Sequence, residues 1–562
     1  MYRRNLGRLG TSFQPTVQAY SIPASVGGVN ALDSLMAMPP QDAIYTYNLM
    51  PVEYGLRLRK GYRQWAIHCG ETPQRGTDQD VKTIIGYESQ IQDVANDKLF
   101  AVTSEGIWDV TLFNTTAPVQ EVVFAQASSE AGYGVYCEYT NDAERHFMFY
   151  ADALNGLHSY EEGVGWSIPP SGIGDTDWYY KNPTGTRVAF NVSDIAFVTV
   201  HKLRIWVILE NSDDAWYLPL FSTSGELKKF TFGSKLTHGG NLMGLYDWTL
   251  DGGDGVDDYL VAVSRGGDVA LYRGADPEAA DWGTAGTWFI GEVPESRRIV
   301  AAYGSEMYIL STYGITSLRD LLQGTVANET RTSPSAKVNR FLRADIELGK
   351  DYPEWAVNIH PADGFLQVVT PEPFNTPYIQ YNQNVNTKAW GFWSGVPMKC
   401  GQTWNGDYFM GGKGGVVWIY DDVLDGTTID DGPTDGKLGE PINFKTLTSF
   451  QAPESHAQFK RAGFVRTVGI LAGTATVNVK AVFDYKIETE ILPPAVLPGY
   501  VQDKWDSSLW EVATWDFAVE GQSFPVGVFG LGRAVAVAIV GSSSTRINIV
   551  GWDVLYTRGG YL

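Results

Sequence analysis

The densest group of side chains that could bind an ion lies in DWTLDGGDGVDDYLVAVS, residues 247–264. Asp251, Asp254, Asp257 and Asp258 surround three glycines there. Calcium is bound by several oxygens on a sharply turning backbone, so this loop is a candidate for Ca²⁺. The spacing departs from that of a calcium loop, because placing Asp254 fifth puts leucine first and glycine third. The favoured interpretation is an acidic turn before a strand, and no metal ligand set and no cofactor is predicted.

The residue patterns that carry catalysis do not occur in the chain. Its seven histidines form no HExxH or HxH pair, and the GxSxG motif of a nucleophile is missing. GGKGG, residues 411–415, lacks the frame of a phosphate loop and precedes a strand, which predicts a hairpin turn. Carboxylates are plentiful, and no glycosidase pair stands out among them. We therefore predict no catalytic residue and expect that the protein is not an enzyme.

One predicted helix carries cations that could touch phosphate. In SPSAKVNRFLRADI, residues 333–346, Ser333 suits the N-cap and proline suits the first helical position. Lys337, Arg340 and Arg343 fall on one face of this helix. Val338, Phe341, Leu342 and Ile346 fall on the opposite, apolar face. The three cations are candidates for contacts with DNA, and the favoured interpretation of the pattern by itself is a solvated helix face.

Two further groups are candidates for contacts with partners. Arg3, Arg4 and Arg8 give the amino terminus a basic tip, and we predict that they belong to an assembly arm. WDSSLWEVATWDF, residues 505–517, sets three tryptophans five residues apart. We favour an irregular loop whose indoles cap a sheet. The alternative is a platform that binds sugar.

A repeated pattern indicates what must position these residues. Seven segments each combine a short apolar run, a turn of Gly, Asp, Asn or Ser, and a second alternating run. This composition is typical of β-hairpins. The segments start at residues 99, 146, 205, 259, 307, 365 and 408, a spacing that leaves room for about four strands each. The sequence therefore predicts an all-β protein with a β-propeller of six to eight blades.

The predicted propeller leaves a segment on either side. Residues 1–75 read as an extended, Pro- and Gly-punctuated assembly segment, and residues 76–430 hold the propeller with its helical insertion near 333–346. The acidic, Gly-rich stretch 421–440 is predicted to be a linker. Regular alternation returns in residues 475–483, 534–541 and 547–559, which predicts a C-terminal β-sandwich over 431–562.

Composition limits the class of protein. The chain of 562 residues has 13% aromatic residues and 61 glycines, a profile of a turn-rich β protein with filled cores. Its net charge of −22 argues against tight wrapping of nucleic acid, since that needs cations to release counterions. Three scattered cysteines predict unpaired thiols in a reducing compartment. We expect no secretory signal and no membrane insertion.

Several segments resemble tail proteins of short-tailed bacteriophages. These are residues 23–62 (with GGVNALDSLMAMPPQDAIYTYNLMPVEYGLRLRKGY), 250–277, 384–395 and the tryptophan-rich 505–517. The chain is similar to the tail nozzle, or tail tubular protein B, of podoviruses. That resemblance implies a propeller-bearing structural subunit, six copies in a ring below the portal and adaptor, around the channel for genome ejection. It further implies the virion tail as location, synthesis in the host bacterial cytoplasm, and other tail proteins and passing double-stranded DNA as partners.

Two functions from other classes stay open at this stage. One is a propeller that binds or cleaves glycans with exposed tryptophans and paired carboxylates. The other is an adhesion propeller that uses aspartate loops for Ca²⁺. The tail subunit is favoured because it accounts together for the long N-terminal segment, the expected lack of a signal and the lone cysteines.

Overall fold

A computed structural model describes residues 17–70, 79–89, 96–251, 256–324, 333–372, 379–430, 436–471, 475–487, 495–497 and 522–561. Nearly all regular structure in these ranges is β-strand. The first six strands belong to the N-terminal segment. They are β1 (Val17–Pro23), β2 (Gly28–Val29), β3 (Asp42–Tyr47), β4 (Leu49–Val52), β5 (Gly55–Leu58) and β6 (Gly61–Ala66).

The described residues then form seven small antiparallel sheets, the blades of a propeller. Blade 1 holds β7 (Thr83–Tyr87), β8 (Lys98–Thr103), β9 (Gly106–Asp109) and β10 (Val119–Val123). Blade 2 holds β11 (Val135–Thr140), β12 (His146–Asp152), β13 (Gly156–Glu161) and β14 (Gly165–Ser167). Two strands, β15 (Trp178–Lys181) and β16 (Arg187–Ala189), precede blade 3 and extend its outer edge. Blade 3 itself holds β17 (Ile195–His201), β18 (Arg204–Leu209), β19 (Asp214–Tyr217) and β20 (Gly225–Thr231).

The remaining blades follow in chain order. Blade 4 holds β21 (Leu242–Asp251), β22 (Val256–Ser264), β23 (Asp268–Arg273) and β24 (Gly283–Phe289). Blade 5 has three strands, β25 (Val300–Tyr303), β26 (Glu306–Ser311) and β27 (Gly314–Ser317), and two helices follow it, α1 (Leu318–Leu322) and α2 (Asn339–Gly349). Blade 6 holds β28 (Ala356–His360), β29 (Phe365–Val369), β30 (Gln380–Asn384) and β31 (Trp390–Trp393). Blade 7 begins with β32 (Met398–Trp404), β33 (Asp407–Gly412) and β34 (Val417–Asp422). Single 3-10 turns lie at Val192–Asp194 and Gly233–Lys235.

The prediction of an all-β propeller is confirmed. Each of the seven hairpins found in the sequence forms the second and third strands of one blade. The turn at 411–415 is a hairpin connection between β33 and β34, also as predicted. The apolar runs of the pattern are informative here because the two middle strands of a blade place side chains against both neighbouring blades and are buried on both faces.

The ring closes through β6, a strand of the N-terminal segment. β6 pairs antiparallel with β34 and is the fourth strand of blade 7, with Val417 opposite Ala66 and Trp418 opposite Gln64. Apolar cores lie between successive blades, including one between blade 7 and blade 1. The propeller therefore includes residues 61–66, which the sequence boundary at 76 left outside it.

A second core lies between two sheets that follow the propeller. Their strands are β35 (Leu424–Thr427), β36 (Glu440–Thr448), β37 (Gln458–Leu471), β38 (Ala475–Phe483), β39 (Ala495–Leu497), β40 (Gln522–Gly532), β41 (Val535–Ser543) and β42 (Ile547–Tyr561). β37, β40 and β42 form one sheet with β1, β4 and β5. β36, β38 and β41 form the facing layer with β3. Val465, Trp552, Phe444 and Val537 are among the buried side chains that meet between the layers.

Over the residues that the structure describes, the N-terminal segment therefore pairs with strands of both the propeller and the C-terminal sheets. β1 and β5 pair with β42, β3 pairs with both β36 and β31, and β6 closes blade 7. The predicted linker over 421–440 is also partly structured, because β35 pairs with β6 and β36. These long-range pairings join the propeller and the C-terminal sheets into one body.

Candidate functional site: the axial cavity and the rim helix

The innermost strands of all seven blades surround one cavity on the propeller axis. Its volume is about 270 Å³, and its lining includes Ile84, Tyr136, Phe197, Tyr246 and Asn358. A cavity of this volume has room for water or a small molecule. Side chains thus fill most of the bore, and a nucleic-acid duplex cannot pass through it. Any DNA path must lie outside the propeller of a single chain.

A larger recess of about 410 Å³ adjoins the axis at one face of the propeller. Arg297 is buried there and donates to Glu210 at 2.8 Å and to the Met243 carbonyl at 2.8 Å. Arg265 lies 3.0 Å from Asp351. The charged residues of the lining are Glu130, Asp152, Glu210, Arg265, Glu295, Arg297 and Asp351. Five carboxylates against two guanidinium groups leave the recess acidic, which disfavours phosphate.

Three blades meet at Lys399, the second residue of β32. Its ammonium group lies 2.9 Å from Asp80, 3.2 Å from Glu372 and 3.5 Å from Glu354. Asp80 precedes blade 1, and the two glutamates lie beside strands of blade 6. Burial by itself lowers the pKa of Lys399, but Tyr133, the hydrogen bond to Asp80 and the charge of Glu354 more than reverse this and raise it. This buried cation on blade 7 therefore joins carboxylates beside blades 1 and 6 at the point where the ring closes.

Lys82 is a second buried cation beside this closure. Its ammonium group donates to the carbonyls of Ser129 at 2.6 Å and Ala131 at 2.8 Å, and it lies over the ring of Tyr133. Burial, and next the positive charge of Lys399, lower the pKa of Lys82 to about 8. The protonated form is thus costly in the folded state near neutral pH.

The structure places helix α2 on the outer rim of the propeller. Leu342 and Ile346 are buried in the core shared by blades 4, 5 and 6, as the sequence predicts. Phe341 is 42% exposed and touches Phe392 edge-on, so its assignment to the apolar face is wrong. The helix begins at Asn339, six residues after the predicted N-cap. The Ser333 hydroxyl accepts from the Ser335 N–H at 3.3 Å and donates to the Ile315 carbonyl at 2.8 Å, and turns lie between it and the helix.

The three cations that are candidates for contacts with DNA have different surroundings. Lys337 donates to Asp42 and to the Gly27 carbonyl, so it joins the rim to the N-terminal segment. Arg343 donates twice to the Tyr313 carbonyl. Arg340 is exposed on the helix. Only Arg340 of the three thus offers a solvated guanidinium that a partner could approach.

The acidic loop of blade 4 is described in part. Asp258 binds Lys202 and accepts a hydrogen bond from Thr249 at 2.8 Å. Burial raises the pKa of Asp258, but these two hydrogen bonds outweigh it and lower the pKa. Asp254 lies outside the described residues, and so do Arg3, Arg4, Arg8 and residues 505–517. Among the residues that the structure describes, no group of three His, Cys, Asp or Glu side chains could hold a metal ion.

Sequence reasoning missed the charged residues at the ring closure. Lys82, Lys399 and Glu354 are far apart in the chain and fit no motif. The available signal is weak: Lys399 lies in a strand and Lys82 directly before one, and each is next to an apolar residue. No helix of the described chain has the length and apolarity to cross a membrane.

Comparison with known proteins adds little to this picture. No protein-family model and no curated protein matches the chain. One solved structure, YCF48 from Cyanidioschyzon merolae, is 12% identical with a TM-score of 0.33, covering 64% of this chain and 99% of its own. A second, titled YCF48 bound to D1 peptide, is 13% identical with a TM-score of 0.28, covering 51% and 97%. At these scores neither likeness carries an argument, and the propeller is established by the strand pairing above.

Proposed function

We propose that this protein is a structural subunit of a short bacteriophage tail, a nozzle or tail-tube ring that surrounds the path of the ejected genome. The observation that carries the proposal is the role of residues 17–66, whose strands join the propeller and the C-terminal sheets into one body. Such a body resists deformation, because separating the two parts would break sheets in both. Rigidity of this kind suits a ring subunit under load better than a hinged enzyme.

The charge of the chain agrees with a passive conduit. Its net charge is −22, so six copies would place roughly −130 on one ring. A wall with few free cations has little free-energy reason to hold a duplex, since binding depends on displacing counterions. The proposed path runs between subunits, because a duplex does not fit in the axial cavity of one propeller. The proposed partners are further copies of the chain, the portal or adaptor, other tail proteins and passing DNA.

Imaging tests this proposal directly. The purified chain is examined by native mass spectrometry and negative stain, alone and mixed with portal complexes of short-tailed phages. A ring of several copies, or density for a labelled subunit in the tail of an intact particle, is the expected result. A monomer that joins no tail structure contradicts it.

The acidic recess favours one alternative function that can be tested, the binding or cleavage of glycans. Its carboxylates and neighbouring Tyr133 are the kind of lining that binds sugars. Glu210, however, is engaged by Arg297 at 2.8 Å, which leaves it a poor general acid or base. Hydrolysis of host surface oligosaccharides that is lost in Glu210→Gln and Glu295→Gln variants would support the glycan reading instead.

A further inference from the structure

The lining of the axial cavity differs in charge from the chain as a whole. The chain has 64 acidic residues against 42 basic ones. Among the described residues that line the cavity, two are arginines, Arg297 and Arg298, and none is an aspartate or a glutamate. The axial cavity is therefore a cationic space inside an acidic protein. Because the surrounding blades exclude most water, its attraction for an anion is stronger than that of an exposed arginine.

Arg298 reaches from the start of blade 5 to residues of other blades. Its Nη1 atom donates to the carbonyl of Lys82, directly before blade 1, at 2.7 Å. Its Nη2 atom lies 3.5 Å from the carbonyl of Pro353, which precedes blade 6. The guanidinium carbon lies 5.3 Å from the centre of the Tyr133 ring, which precedes blade 2. The guanidinium group thus lies at an end of the cavity where several blades converge.

No carboxylate neutralises the charge of Arg298. It is half-buried, and it makes no ion pair with any residue that the structure describes. Lys82, whose ammonium group lies over the same Tyr133 ring, donates only to backbone carbonyls. Arg297 differs, because Glu210 pairs with it at 2.8 Å. A partly buried cation without a counter-charge is costly, so binding of an anion beside Arg298 is favourable.

One edge of the Arg298 guanidinium is unused. Its Nε atom is buried and has no hydrogen-bond partner among the described residues, and the single contact of Nη2 is too long for a good hydrogen bond. Nε and Nη2 are two parallel donors that bind a carboxylate in a planar, bidentate pair. Arg63 binds Asp421 through the same two atoms, at 2.8 and 2.6 Å. The unused edge of Arg298 therefore matches the two oxygens of one carboxylate.

The remaining lining limits what else the ligand can contain. Its apolar members include Ile84, Val135, Phe197, Val300 and Val357. Tyr136 and Tyr246 also line the cavity, and the Tyr246 hydroxyl already donates to a backbone carbonyl at 3.0 Å. Aliphatic and aromatic side chains of this kind bind an apolar body. The volume of about 270 Å³ lies just below the range of sites for drug-sized ligands, so the ligand must be a small molecule.

We propose that the axial cavity binds a small organic acid with an apolar or aromatic body. Its carboxylate accepts hydrogen bonds from Nε and Nη2 of Arg298, and its body packs against the aliphatic and aromatic lining. The ligand supplies the counter-charge that Arg298 lacks in the chain itself. This site goes beyond the proposed tail function and does not depend on it, because it lies within the propeller of a single chain.

Calorimetric titration of the full chain tests the site, with benzoate as the probe. Benzoate should bind saturably at one site per chain. Benzamide, which has the same shape without the charge, should bind at least tenfold more weakly. Arg298→Met should weaken the binding of benzoate about tenfold or more, because hydrogen bonds to charged groups are strong. Arg273→Met is the matched control, since Arg273 is exposed at the end of β23 outside the cavity, and it should bind benzoate as the wild type does.

A second variant keeps the test valid if Arg298→Met fails to fold. Thr199 is half-buried and lines the cavity from blade 3. Thr199→Phe should occupy part of the cavity and weaken benzoate binding at least tenfold while Arg298 stays in place. Circular dichroism and the midpoint of thermal unfolding show whether each variant is folded. Crystals soaked in para-bromobenzoate locate the ligand, because the bromine gives an anomalous signal that is expected on the propeller axis.

Several results would overturn the site. Equal affinities for benzoate and benzamide would show that the carboxylate is not recognised. Wild-type affinity in folded Arg298→Met or Thr199→Phe would place binding elsewhere, and so would a bromine signal outside the axial cavity. Inorganic phosphate that displaces benzoate as well as unlabelled benzoate does, at constant ionic strength, would contradict a site for an organic acid. Each of these results leaves the tail assignment unaffected, and a chain that joins no tail structure leaves this site unaffected.

Discussion

Lys337, two residues before helix α2, donates to Asp42 at 2.8 Å and so connects the start of the helix to the N-terminal segment. The Asp42 side chain is 3% exposed and also accepts from Asn30 at 2.6 Å. A carboxylate so deeply buried needs its cation, because a buried unpaired charge is strongly destabilising. The residue singled out in the sequence as a contact for DNA is therefore a structural cation.

Replacing Lys337 by methionine should lower the free energy of unfolding by about 2 kcal/mol, since it leaves Asp42 without its cation. Urea unfolding followed by tryptophan fluorescence measures the change. Arg340→Met, three residues further on in α2, is the control and should stay within about 0.5 kcal/mol of wild type. Equal effects of the two substitutions would contradict the structural role of Lys337.

Lys399→Met should be more damaging, because it leaves Asp80, Glu354 and Glu372 facing one another at the ring closure. The expected loss is about 3 kcal/mol or more, seen as a lower midpoint of thermal unfolding. Lys413→Met, at an exposed lysine that pairs with the same Glu372, is the comparison and should cost under about 1 kcal/mol. A wild-type midpoint in Lys399→Met would show that the closure does not depend on this cation.

The pH dependence of stability should report Lys82. Its pKa of about 8 lies below the ordinary value, so above pH 8 the unfolded chain binds more protons at this lysine than the folded chain does. Stability from this group therefore rises with pH from about 8 to 10. Between pH 7 and 9.5 the gain is roughly 2 kcal/mol, from 1.36 kcal/mol for each unit of pKa. Denaturant titrations of wild type and Lys82→Met at both pH values should show the gain in wild type alone.

Truncation at the amino terminus can separate folding from assembly. β1 begins at Val17, so removing residues 1–16 leaves its pairing with β42 intact and should give a folded protein with wild-type thermal unfolding. If the basic tip is an assembly arm, this protein no longer joins its ring or its neighbour in native mass spectra. Removing residues 1–23 deletes β1 with the buried Ile22 and should also lower stability. Unchanged assembly after the shorter deletion would refute the arm.

Binding of duplex DNA by the free subunit should be weak and should disappear at physiological salt, because the chain carries a net charge of −22. Fluorescence anisotropy over a salt series measures this, and tight binding that resists salt would contradict a passive conduit. Arg340→Glu is the informative variant in phage particles, since Arg343 is engaged by Tyr313 and its loss would disturb the fold. Particles with Arg340→Glu should assemble but eject their genome abnormally if α2 faces the DNA path. Normal ejection would indicate that this helix face contacts only solvent.

The sequence by itself determined the seven hairpins and the propeller, and it also placed the strands that begin at Ala475 and Ile547. Alternating apolar residues and turn residues are local signals, and a hairpin is a local structure, so its evidence lies within some fifteen residues of chain. The apolar face of α2 followed from its period in the same way, apart from Phe341.

Only the tertiary structure decided which strand closes the ring, what Lys337 binds and where the buried cations lie. β6 meets β34 across some 350 residues, and Lys337 meets Asp42 across 295. Such pairings depend on the packing of the whole ring, and the sequence around one partner does not indicate where the other partner lies. A lysine on a polar helix face looks the same in sequence whether water, a phosphate or a distant buried carboxylate receives it, because burial of the acceptor is a property of the fold alone.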